Sequence, residues 1–202
     1  MDNFIDNCVA NDFETHSNEN VFITGSNMSG KTSFIRTIGV NVLLSRAIAT
    51  CLATNGTMSF FDVYTSIRIN DDINKGYSYF FEELIQFKKI VEKSEIEGKH
   101  NLILIDEILK GTNIHDRKKI TKSLLTYLSN NKNNLIFISS HDIDLASELS
   151  GNFAFYNFQE NITEDAIQFN YKIGKGISKQ TNAIKLLQIL NFPKPILENL
   201  SE

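Results

Sequence analysis

The sequence predicts an α/β fold, a mainly parallel β-sheet flanked by helices, with a C-terminal β-hairpin and a helical tail. Three observations carry this. The short apolar runs "NVFIT" (20–24), "LILID" (102–106) and "LIFISS" (135–140) read as strands buried on both faces. Longer stretches with apolar residues three and four apart separate them, the period of a helix packed on one side. Strands alternating with helices make a parallel sheet covered by helices. A chain of 202 residues is long enough for one domain with its own core, and 1–202 is taken as a single domain. Within it, 1–20 is a lead-in, 21–150 the core, and 151–202 a hairpin and helical tail.

The elements follow in order. Residues 1–20 are polar, with Phe4, Ile5, Val9 and Phe13 as apolar anchors. After "NVFIT", residues 29–51 read as a helix weakened at its middle by Gly39. "VYTSIRI" (63–69) alternates as a half-buried strand does. "DDINKGYS" (71–78) is a loop. From Ser78 a helix carries Phe80, Leu84, Phe87 and Val91 on one face. "LILID" is the next strand, "LKGTNIHD" a loop, and 116–130 a helix with Ile120, Leu124 and Leu128 aligned. "LIFISS" precedes a helix beginning in "HDIDLASEL". "NFAFYNF" (152–158) and "AIQFNYKI" (166–173), joined by the polar turn "QENITED", form an antiparallel hairpin. A last helix carries Ala183, Leu186, Leu187 and Leu190 before Pro193 and Pro195.

Composition narrows the class. No apolar run reaches the roughly 20 residues that span a bilayer, and "MDNFIDNCVAND" is too acidic for a secretory leader. Cys8 and Cys51 make neither a CxxC nor a zinc pattern, so reduced thiols and a cytoplasmic location are expected. The net charge is −4, which argues against a dedicated nucleic-acid binder.

Four stretches carry chemistry. Gly25 to Thr32, within "VFITGSNMSGKTSFIRTIG", matches GxxxxGK[ST], the phosphate-cradling Walker A pattern. Gly25 and Gly30 let the backbone N–H groups of the loop (Ser26, Asn27, Met28, Ser29) converge on phosphate oxygens. Lys31 neutralises β/γ-phosphate charge, Thr32 gives Mg²⁺ a hydroxyl, and the helix N-terminus running through Ser33 adds its positive dipole end. The fold expected is therefore a P-loop NTPase that takes a nucleotide with Mg²⁺. Asp106, ending a buried strand, is placed to organise the metal, and Glu107 to polarise the attacking water. His141 follows "LIFISS" at the carboxyl edge of the sheet. There it either orients water and senses the γ-phosphate or is structural. Ser78 opens a helix, where it either caps the helix or meets a phosphate.

With these residues in view, the chain resembles the C-terminal ATPase domain of the MutS family of DNA mismatch repair and MutS-related proteins. "TGSNMSGKTSFIRTIG" resembles its Walker A, "DDINKGYSYFFEEL" its signature segment, "LILIDEILKGTNIHD" its Walker B and following loop, and "FISSHDIDL" its His-bearing switch. "FNYKIGKGISKQTNAIKLLQILNFPKPIL" resembles the end of the domain, where a helix packs in the dimer. The resemblance implies an ABC-ATPase-like P-loop fold with ATP and Mg²⁺ as cofactors. It implies that two protomers pair, as a homodimer or with a MutS-like partner, and that Ser78 reaches the opposite nucleotide. It implies DNA contact through domains this chain does not contain, and no membrane partner. The departures are Ser26 where the family often has Pro, Thr32-Ser33 in place of Ser-Thr, and Ser140 before His141 in place of Thr. Near Cys8-Val9 no aromatic stands where the family often stacks adenine.

The reading is a slow Mg-ATPase motor domain that dimerises through composite sites. Its rivals are another ABC-like motor, which would need an LSGGQ-like signature absent here, and a nucleotide-gated interaction module with little hydrolysis.

Overall fold

In a computed structural model of the chain, residues 8–16, 18–26, 28–67, 79–109, 113–162 and 167–178 are described, with residues 187, 189, 192–193 and 196–197 of the tail. Six strands form one sheet among these residues: β1 (Asn20–Gly25), β2 (Asp62–Ser66), β3 (Asn101–Asp106), β4 (Asn134–Ser139), β5 (Phe153–Ile162) and β6 (Ile167–Lys175). The helices are α1 (Lys31–Ile48), α2 (Tyr79–Ser94), α3 (Ile114–Asn130) and α4 (Ile143–Glu148).

The strand order is β2-β3-β4-β1-β5-β6. Neighbours from β2 to β5 pair in parallel, and β6 returns antiparallel to β5. The α/β fold class and the hairpin stand as expected. The polar segment Gln159–Ile162 differs, since β5 runs through it to Ile162 with a register shift between Phe158 and Glu160. Backbone pairing with β6 outweighs the turn propensity of this segment.

The apolar runs sort their side chains onto two faces. Val21, Ile23, Leu102, Leu104, Leu135 and Phe137 pack with Phe34, Ile35 and Val42 of α1. Phe22, Ile103, Ile105, Ile136 and Ile138 pack with Phe87 and Ile90 of α2, Leu125 and Leu128 of α3, and Leu145 of α4. A strand covered on both faces has no polar positions to alternate, which is why these runs read as continuously apolar. The predicted stripe on α2 is centred on Phe87 and Ile90, with Phe80, Leu84 and Val91 partly buried beside them. The stripe on α3 is centred on Thr121, Leu125 and Leu128 rather than on Ile120 and Leu124.

Gly39 has a packing reason. It is buried on the face of α1 that meets β3, and a Cβ there would come within 2.5 Å of Leu104 Cδ1. The lead-in is docked by Phe13, whose ring meets Phe34, Phe137 and Tyr156 at centroid distances of 5.0 to 5.7 Å. Asn11 pairs with β6 through its side chain, donating to Tyr171 O and accepting from Ile173 N, both at 2.9 Å.

The amino edge of the sheet is held by buried amides. Asn101 Nδ2 donates to Asn134 Oδ1 at 2.9 Å, and Asn134 Nδ2 to Leu128 O at 2.9 Å. Asn20 Oδ1 accepts from Ile136 N at 3.0 Å. These buried amide hydrogen bonds fix the strand ends and the α3–β4 turn at once. The carboxyl edge, opposite, gathers the candidate site.

Candidate functional site

Three strand ends build the site: β1 leads into the 25–30 loop, β3 ends at Asp106, and β4 at Ser139. In parallel strands all carboxyl ends lie on one edge, which brings residues distant in sequence together.

The loop is compact. Gly25 has φ 140°, and a Cβ there would lie 2.6 Å from Phe158 O, so only glycine fits against β5. Ser29 Oγ donates back to Ser26 O at 2.9 Å. Gly30, with φ 110°, is the N-cap of α1 and contributes no side-chain cap. The starts of α3 and α4 contrast with it. Asn113 caps α3 by accepting from Asp116 N, and Asp142 caps α4 by accepting from Leu145 N. α1 has neither an Asx cap nor an acidic residue in its first turn. Its N-terminus is thus the one of these three left to an outside anion. Lys31 is buried at 5% exposure and folds over the loop, donating to Gly25 O at 2.8 Å and Ser26 O at 2.5 Å. Met28, with φ 69°, turns its side chain to solvent, so only its backbone lines the cradle. Ser33 is exposed on the first turn of α1. Asn27 and Ser78, both expected at the site, lie outside the described residues.

Thr32 and Asp106 meet. Thr32 Oγ1 donates to Asp106 Oδ2 at 2.8 Å, and Ser139 Oγ donates to Asp106 Oδ1. Asp106 is 7% exposed, so both oxygens are oriented by neighbours rather than by water. Ser139 was missed by sequence reasoning. The signal was the serine pair closing "LIFISS", but the parallel register Asp106↔Ser139 that makes it matter is not visible in sequence.

Glu107 and His141 also meet, through Glu107 Oε1 and His141 Nε2. His141 Nδ1 lies 3.4 Å from Gly25 O, so the imidazole bridges the Glu107 carboxylate just after β3 and the first loop glycine. The histidine side chain is 46% exposed and the glutamate 9%. Glu107 adopts φ 56° and Leu109 φ 55°, a strained turn for side-chain-bearing residues. Glu83 of α2 holds that turn, its Oε1 accepting from Leu109 N at 3.2 Å. Sequence reasoning gave Glu83 no such contact.

Beyond Glu107 and His141 lies a cleft of about 170 Å³, lined also by Ile108, Arg117, Lys118 and Asp142. It includes neither Lys31 nor Thr32, so it borders the phosphate loop without being the cradle. Lys118 is bound to Asp144 at 2.9 Å, and that hydrogen bond holds its ammonium above the ordinary lysine range.

An aromatic stands at the lip of the loop. Tyr171 of β6, φ 53° and 43% exposed, comes within 3.4 Å of where a Cβ on Gly30 would be. Its ring stacks on Phe169 at 5.9 Å. In the lead-in, Cys8 is exposed.

The donor set fits a magnesium-bound polyphosphate. Hard oxygens from Thr32 and Asp106, an ammonium and an uncapped helix start are what such a group needs. Among the described residues no cluster of three or more His, Cys, Asp or Glu could hold a metal alone, so phosphate and water oxygens would complete the shell. No helix among them is long and apolar enough to cross a membrane.

The family model described as MutS domain V matches residues 21–202. The chain is 26% identical over 201 residues to the DNA mismatch repair protein MutS of Clostridium botulinum, covering 96% of this chain and 21% of that protein. It is 27% identical over 206 residues to the proteins of the same name from Thermosipho melanesiensis and Fervidobacterium nodosum, covering 100% of this chain and 25% of each. The chain thus spans a quarter or less of the length of these relatives.

Proposed function

The chain belongs to the MutS domain V family, and we propose on that premise that it binds Mg-ATP, pairs with a second protomer through the nucleotide, and hydrolyses it slowly. The observation that carries this is the Thr32–Asp106 hydrogen bond beneath an uncapped α1. It joins a metal-organising carboxylate to the hydroxyl of the phosphate loop.

In this reading the loop N–H groups and Lys31 bind the phosphates, with Lys31 leaving the carbonyls of Gly25 and Ser26 to do so. Thr32 and Asp106 would hold Mg²⁺, which neutralises charge on the transferred phosphoryl group. Glu107 accepts a proton from the attacking water. His141, beside it, orients the carboxylate and ties it to Gly25. The Tyr171 ring offers the nucleobase a face. Ser78 serves the partner's nucleotide. The whole chain, 1–202, acts as one domain, with 151–202 contributing to pairing.

The relatives are named for DNA mismatch repair. For this chain we propose the motor of a DNA-processing protein, cytoplasmic, with DNA contacted through other domains. Its net charge of −4 is poorly suited to gripping DNA directly.

The test is Mg-dependent ATP turnover across a protein dilution series, with Glu107→Gln as control. Specific activity that falls on dilution, with an inactive control, supports the paired motor. ATP-dependent pairing without turnover would replace it with a nucleotide-gated switch.

A further inference from the structure

The first turn of the phosphate loop is held from two sides by opposite charges. The Lys31 ammonium donates to the Ser26 carbonyl at 2.5 Å, while the Ser26 hydroxyl donates to the Glu160 carboxylate. Both charged residues are buried, Lys31 at 5% and Glu160 at 6% exposure. β5 delivers the carboxylate. Phe158 pairs with Gly25, and the register shift falls between Phe158 and Glu160, the residue that reaches the loop. A bulge at that point re-aims a side chain that a regular ladder would direct elsewhere.

A buried carboxylate is out of place beside a loop that takes polyphosphate. It is costly to desolvate unless hydrogen-bonded and compensated, and here the Ser26 hydroxyl bonds it while the Lys31 ammonium holds the carbonyl of the same serine. Among the described residues, the other carboxylates near this turn have partners of their own. Glu107 is engaged by His141, and Asp106 by Thr32 and Ser139. From β6, the residue opposite Glu160 is the uncharged Phe169.

We propose that Glu160 is the counter-charge of the empty phosphate loop, holding Ser26 against the Lys31 side of the turn and limiting how tightly the loop keeps a polyphosphate. This rests on the phosphate-loop reading above. When Lys31 leaves the carbonyls for phosphate, the buried Glu160 carboxylate stands behind Ser26 as a like charge to the incoming anion. Such a like charge, poorly screened where the carboxylate is buried, weakens binding by about tenfold. The device keeps an otherwise tight loop exchangeable, favouring release of product.

The experiment is calorimetric titration of Mg-ATP, Mg-ADP and inorganic tripolyphosphate into the wild type and Glu160→Gln, with circular dichroism to check folding. Glutamine keeps an oxygen for the Ser26 hydroxyl and removes only the charge. The expected result is about tenfold tighter binding of all three ligands and slower ADP release. A merely structural role predicts the opposite sign, since a loosened loop binds more weakly. Binding that is unchanged or weaker in folded Glu160→Gln overturns the proposal. If that variant does not fold, Glu160→Met replaces the buried carboxylate with an apolar side chain of similar length, an exchange buried sites often tolerate. It should tighten binding at least twofold, and unchanged or weaker binding there overturns the proposal equally. A wild type that binds neither ATP nor tripolyphosphate refutes the phosphate-loop reading itself, an outcome separate from a Glu160 charge without effect.

Discussion

Thr32 and Asp106 are 74 positions apart in the chain and joined by a 2.8 Å hydrogen bond. Asp106 is gripped again on its other oxygen by Ser139. Ser139→Ala should therefore leave Asp106, the carboxylate proposed to hold Mg²⁺, in place but less well oriented. Losing one such hydrogen bond costs about 0.5–1.5 kcal/mol. The Mg²⁺ concentration for half-maximal turnover should rise several-fold, whereas Asp106→Asn should abolish the Mg²⁺ response. A magnesium titration of ATPase activity reads both.

Lys31 and Glu107 separate binding from chemistry. Lys31→Ala removes the ammonium that crosses the loop and should abolish ATP binding by equilibrium titration. Glu107→Gln should bind ATP normally and lose turnover by about 10²–10⁴-fold, the range of a general base. Turnover retained in Glu107→Gln refutes its assignment as the base.

Glu83 supports the strained turn that carries Glu107 and Leu109. Glu83→Ala should lower kcat about tenfold with KM little changed, because the phosphate loop is untouched. Glu83→Gln retains an acceptor for Leu109 N–H and should recover most of the rate. Equal losses in the two variants would mean that the charge, not the hydrogen bond, matters.

Ser78 acts in trans in the proposed pair, and complementation tests this. Ser78→Ala and Lys31→Ala proteins should each be nearly inactive. Mixed, they form heterodimers in which one site has Lys31 from one protomer and Ser78 from the other. Activity rising well above the sum of the separate proteins is the expected result. A simple sum rules out the composite site.

Gly39 tests packing apart from chemistry. Alanine is the better helix former by about 1 kcal/mol. Its Cβ, however, would meet Leu104 Cδ1 at 2.5 Å inside a filled core. Overpacking of that kind costs about 1–3 kcal/mol, so Gly39→Ala should lower the denaturation midpoint despite its propensity, and Gly39→Val should lower it further.

The comparison of sequence with structure follows the range of the interactions. β1, β3 and β4 were legible because strands buried on both faces must be apolar throughout. The phosphate loop was legible because glycine spacing and Lys31-Thr32 are local in the chain. Ser139, Glu160 and Glu83 were not. Each acts through register, a bulge or a helix position that only the assembled sheet defines. Tyr171 was overlooked for the same reason, since in sequence it is one of the alternating residues of a hairpin. The reach of β5 to Ile162 was missed because polar turn-forming residues were read without the partner strand that pairs with them.

The asparagine lattice at the amino edge supplies an internal gauge for all of these experiments. The side-chain amide protons of Asn101 and Asn134 are buried and hydrogen-bonded, so they should exchange slowly with solvent and give resolved nuclear magnetic resonance signals. They sit at the far end of the strands whose tips carry Asp106 and Ser139. A variant that loses activity while these two signals persist has lost chemistry. One that loses both has lost the sheet.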